Sequence, residues 1–224
     1  MLGIHFGLMI ELILYLGLGL VTILLVIFTS YRDKKFNSRL LDIIAIMITI
    51  TYIIDIIYPI VTGRVNFNRL TFTIGTVLCP FIIITRYIKP FDKIKPTVSL
   101  IAIVAIFTYS LYYVRPDSFL NITAQKVFEI YVYYSLVFIY GVLSITTEEV
   151  ELNVKKCYNE LIALSLIELF AFTIRGIISP RARTNTVFWD VLESSPMIVL
   201  VSFGFILIIY LINYIIKKIK AEKQ

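Results

Sequence analysis

The chain is poor in the residues that most metal, redox and nucleophile chemistry requires. Its 224 residues include one histidine, two cysteines and one tryptophan. A lone histidine (His5) excludes an HExxH zinc protease and a bis-imidazole haem. Adding Cys79 and Cys157 still does not supply four zinc ligands or a disulfide framework. A Ser-His dyad would have to recruit His5 from the extreme N-terminus. No DDxxD run, Walker motif or GxGxxG run is present. The sequence therefore points away from an enzyme and implies neither a cofactor nor a metal.

Charge is scarce as well. Asp, Glu, Lys and Arg make up 16% of the chain, against roughly 25% in a typical soluble domain. The net charge of +6 is modest and scattered, which argues against nucleic acid as a partner. Abundant instead are apolar residues, at 59%, and the mean hydropathy is +0.89. Crossing a bilayer as a helix takes about 20 mostly apolar residues. Seven stretches meet that description: 6–30, 39–61, 70–87, 96–113, 122–146, 157–178 and 196–216. The expectation is an all-α, polytopic, seven-transmembrane-helix bundle forming a single domain over residues 1–224, in the cell membrane and in contact with its lipids. Ser38, Asn121 and Ser195 stand where N-caps are wanted, and Pro96 and Pro196 occupy first-turn positions.

Orientation follows from Lys and Arg. Arg32, Lys34, Lys35, Arg39, Arg86, Lys89, Lys93, Lys95, Lys155, Lys156 and the tail lysines fall on one side. Half as many, among them Arg64, Arg115 and Arg183, fall on the other. The bias places the N-terminus outside and the C-terminus in the cytoplasm. No basic n-region or small-residue cleavage site marks the first stretch as a signal peptide. No lysine lies inside 196–216, so a retinal Schiff base has no attachment residue.

Ionisable groups within apolar stretches are costly and are the strongest functional clue. Glu11, Asp55, Lys126, Glu129, Glu168 and Arg175 fall in the outer halves of their stretches. Asp42, Arg86 and Glu160 lie near enough to the inner interface to snorkel. Glu168 and Arg175 are two helical turns apart on one face, and Asp55 at comparable depth is a candidate counter-charge. Asp55, Glu168 and Arg175 therefore form a candidate ligand or proton site in an outward-facing polar cavity. A buried ionic clamp that fixes helix register is the alternative. Tyr133 and Tyr134 lie deep enough that their hydroxyls need partners; they either line the same cavity or bond between helices. Pro80, after Cys79, is expected to kink its helix and free a carbonyl near residue 76.

The segment RLTFTIGTVLCPFIIITRYIKP (Arg69–Pro90), with Gly75 and Pro80 before an aromatic-basic end, and the preceding IDIIYP with Asp55, resemble the seven-helix input region of prokaryotic membrane histidine kinases. The resemblance implies a non-enzymatic sensor or receptor-like protein for a small ligand, lipid or proton. No kinase domain follows Gln224, so it also implies a separate signalling partner. The plan of three helices, a connector and three more is similar to that of SWEET-type and PQ-loop carriers. Asp55 and Glu168 share their spacing with Gly63 and Gly176, as a duplication would give. No proline precedes glutamine here, however. A small-solute transporter and a subunit or assembly factor of a membrane complex remain the alternatives.

Overall fold

The computed structural model of the chain describes residues 2–54, 61, 74–113, 124–153, 157–163, 165–166, 200, 203–204 and 206–214. Side chains are described from Ile13 in the first helix (Leu14 apart), from Leu78 in the third, up to Ile106 in the fourth and from Val132 in the fifth. The described residues contain helices and turns and no strand. In chain order come α1 (Leu2–Ser30), α2 (Lys34–Tyr52), α3 (Ile74–Tyr87), a 3-10 segment (Lys89–Ile94), α4 (Lys95–Tyr113) and α5 (Ala124–Thr146). Further helical residues lie at 157–163 and 206–214.

All-α architecture is thus found, but the seven-span expectation is corrected. Among the described residues, no helix is long and apolar enough to cross a membrane. Charge contributes to this where it is described: α3 carries Arg86 in its last turn. Helix α2 begins earlier than its apolar stretch and carries Lys34, Lys35, Arg39 and Asp42 in its first half. The inside-outside assignment drawn from those spans is withdrawn with them.

Local chemistry explains the helix ends. Asp33, extended at φ −71° and ψ 159°, caps α2 by accepting from the Phe36 N–H at 3.3 Å. Ser38, expected as that cap, lies a turn further in. The turn from α1 to α2 is fastened by the buried Asn37, whose Nδ2 donates to the Thr29 carbonyl at 3.1 Å. The Phe28 and Phe36 rings meet edge to face at 5.7 Å, and the Arg32 guanidinium lies 4.6 Å from the Phe28 centroid. Pro80 sits inside α3, as the sequence requires, and removes one rung from its hydrogen-bond ladder.

Helix α5 packs against α4 and α2, and α4 also packs against α3. Leu41, Ile48, Ile82, Leu100, Val104, Val137, Tyr140 and Leu143 are fully buried at these seams. Gly141 allows the closest approach: a Cβ there would stand 2.5 Å from the Ser99 carbonyl oxygen of α4 and 2.9 Å from Ile103 Cγ1. Several helical hydroxyls are satisfied locally. Thr22, Thr49, Thr85 and Ser144 each donate to the carbonyl four residues earlier.

Helix α2 is apolar on two faces. Leu41, Ile44, Ala45 and Ile48 face the core, while Ile43, Ile46, Met47, Ile50 and Ile54 form a second stripe that is 45–57% exposed. Leu16, Leu20, Ile23, Leu24 and Ile27 form a similar exposed stripe on α1, as do Leu207, Ile208, Leu211 and Ile212 in the last described helix.

Candidate functional site

The strongest concentration of polar interactions gathers where α2, α3, α4 and the turn after α5 come together. Its centre is Arg86, in the last turn of α3, whose side chain is 5% exposed. Arg86 Nε donates to Asp42 Oδ1 at 2.6 Å, and Nη1 donates to Glu149 Oε2 at 2.9 Å. Nη2 donates both to the Ser38 carbonyl at 2.6 Å and to Ser38 Oγ at 3.0 Å. One planar guanidinium thereby ties α3 to two turns of α2 and to the turn beyond α5. Lysine, a point charge, does not offer this fork of fixed donors.

Glu149 Oε2 also accepts from Lys95 Nζ at 2.8 Å, which adds the start of α4 to the cluster. Partial burial works to raise the Glu149 pKa. The Lys95 hydrogen bond and the charges of Arg86 and Lys95 outweigh it, so the carboxyl is held below its ordinary range. The chain presents Glu149 through a tight reversal after α5. The Thr147 N–H bonds to the Leu143 carbonyl, the Val150 N–H bonds to the Ser144 carbonyl, and Glu148 adopts a left-handed φ of 59°.

Asp42 is only 39% exposed, and Tyr87 Oη donates to its Oδ1 at 3.4 Å. Tyr140, fully buried, lies beneath this group with Arg86 and Ser144 as its polar neighbours. Arg86 and Asp42 therefore do not snorkel, as their positions near the end of an apolar stretch suggested. They neutralise each other across a helix interface. Glu160 does not snorkel either: it is 5% exposed and lies beside the buried Tyr210 hydroxyl.

Of the residues expected to form the outward-facing site, Asp55, Glu168 and Arg175 lie outside the described residues. Tyr133 and Tyr134 are placed in the apolar core, 3% and 5% exposed. Their rings meet edge to face at 5.4 Å, and Tyr133 lies 6.2 Å from the ring of Tyr52 on α2. Among the described residues no three His, Cys, Asp or Glu side chains gather as a metal ion requires. Beside the Arg86 cluster a cavity of about 440 Å³ opens between the start of α2 and the turn after α5.

Sequence reading missed this cluster because its members are 44 and 63 residues apart and no helical periodicity links them. The available signal was the number of ionisable residues close to the ends of apolar stretches. No protein-family model matches the chain, and no curated protein or solved structure matches it.

Proposed function

We propose that the protein is a non-enzymatic, membrane-associated receptor-like protein that passes a binding event to a separate partner. The observation that carries this reading is the Arg86 cluster, in which one buried guanidinium holds α3 to α2 and to the turn after α5 at a single point. A buried ionic group of this kind is stable with all its partners and strongly destabilised when one is withdrawn. It therefore favours two discrete arrangements over a continuum, as a receptor needs. Both carboxylates, Asp42 and Glu149, are engaged by cations, so neither is poised as a general base. The exposed apolar stripes on α1 and α2 support seating against lipid.

A second reading, a subunit of a larger membrane complex, is favoured by those same stripes, which also suit permanent protein contacts. Gentle detergent extraction of the tagged full chain separates the two. A receptor is recovered with a partner whose yield changes when Arg86→Gln disrupts the cluster. A subunit is recovered with partners in fixed stoichiometry that the substitution leaves in place. Solute flux in proteoliposomes would instead establish a transporter and overturn both.

A further inference from the structure

We propose that the cavity beside Glu149 binds a phosphate-type anion, carried by a lipid headgroup or free in solution. Lys34, Lys35 and Arg39, on the first two turns of α2, line it together with Ser38 and Thr147. Lys35 and Arg39 are four residues apart and so share one helix face, about one turn of 5.4 Å from each other. Among the described residues no ion pair engages Lys34, Lys35 or Arg39, whereas Arg86 and Lys95 are both committed to carboxylates. Among the described residues the cavity therefore presents three cations that no carboxylate engages. Two carboxylates also border it. Glu149 is neutralised by Arg86 and Lys95, and Glu148 is exposed at the rim.

Size and donor chemistry narrow the ligand. Thr147 Oγ1 already donates to the Leu143 carbonyl, so donors to an anion come from the three cations. Arginine pairs bidentately with phosphate oxygens, and lysines supply point charges. A space of about 440 Å³ lies within the range of small-molecule pockets and exceeds what a bare phosphate fills. A phosphoester on a polar headgroup fits better. Ser38 and Glu149 belong both to the cavity lining and to the Arg86 cluster, so an anion here sits next to the point that joins the helices. As the ligand site of the receptor proposed above, the cavity rests on that reading. The binding step itself is measured apart from any signalling.

The test uses the full chain in neutral detergent or lipid. One arm titrates inorganic phosphate by calorimetry. The other measures flotation with phosphatidylcholine vesicles prepared with and without phosphatidic acid. Binding in the first arm identifies a free anion, and binding only to the phosphatidic acid vesicles identifies a headgroup. The triple variant Lys34→Gln, Lys35→Gln, Arg39→Gln is expected to weaken binding by about tenfold or more. The pair Lys89→Gln, Lys93→Gln, on the 3-10 segment and outside the cavity lining, should change it by less than about twofold, as solvent-screened surface charges do. On the native chain, the bound probe should slow amide exchange across Lys34–Arg39, which requires no variant to fold. Failure of both probes to bind, equal loss in both variants, or protection confined elsewhere would overturn the site. Binding that leaves partner recovery unchanged would count against the receptor reading and leave the site standing.

Discussion

Arg86 and Glu149 are 63 residues apart in the chain and meet at 2.9 Å, and the same Glu149 oxygen is shared with Lys95 at 2.8 Å. With Asp42 completing the group, two cations and two carboxylates alternate across three helices and one turn. Each charge is compensated by a neighbour from a different element. Loss of one member therefore exposes the others to an uncompensated, partly buried environment.

Replacing Arg86 with glutamine is accordingly expected to destabilise the fold by about 3 kcal/mol, the lower end of the range for breaking a buried pair, because Asp42 is partly hydrated. Arg86→Lys should recover only part of this loss, since an ammonium does not reach Asp42, Glu149 and Ser38 together. Denaturant unfolding in detergent measures both. Equal stability of Arg86→Gln and the native chain would show the cluster to be energetically idle.

Acid should act through Glu149. Its pKa is lowered on folding, so its stabilising contribution is complete above the unfolded value of about 4.3. That contribution is lost as pH falls through the lower, folded value. Thermal stability is expected to hold from neutrality to about pH 5 and to decline below about pH 4. Glu149→Gln should flatten that decline and lower stability at neutral pH. An identical acid profile in the variant would assign the transition to other carboxyls.

Gly141→Ala should destabilise, although alanine is the better helix former by about 1 kcal/mol. The added methyl meets the Ser99 carbonyl at 2.5 Å, and backbone does not yield as a flexible side chain does. Separating α4 from α5 is expected to cost about 1–3 kcal/mol and to outweigh the propensity gain. Unfolding of the purified variant measures the balance, and a more stable protein would mean that the seam is looser than it stands here.

Helix chemistry was largely legible in the sequence, because it is local. The ends of α1, α3 and α5 at Ser30, Tyr87 and Thr146 coincide with the ends of apolar stretches. Pro96 sits in the first turn of α4. The start of α2 was misread because hydropathy pointed to Arg39 while cap chemistry pointed to Asp33, which precedes the first apolar residue by a turn. Hydropathy also made spans of stretches in which, among the described residues, no helix is long and apolar enough to cross a membrane. Depth along an apolar stretch suggested snorkelling for Arg86, Asp42 and Glu160. Only the packing of distant helices reveals that the first two pair with each other and that Glu160 is enclosed. Tyr133 and Tyr134 are buried in the core, and that position depends on Tyr52 and the neighbouring helices, which the sequence does not place.

The most direct test of the account is whether the Arg86 cluster is a two-state clamp or a fixed brace. Spin labels introduced by Tyr31→Cys and Glu151→Cys, in a Cys157→Ser background, report the separation of the α1–α2 turn from the segment after α5. In lipid, double electron–electron resonance should give one narrow separation for the native cluster. A second, discrete separation should be populated by Arg86→Gln. A single unchanged separation in both proteins would contradict the clamp and with it the receptor reading.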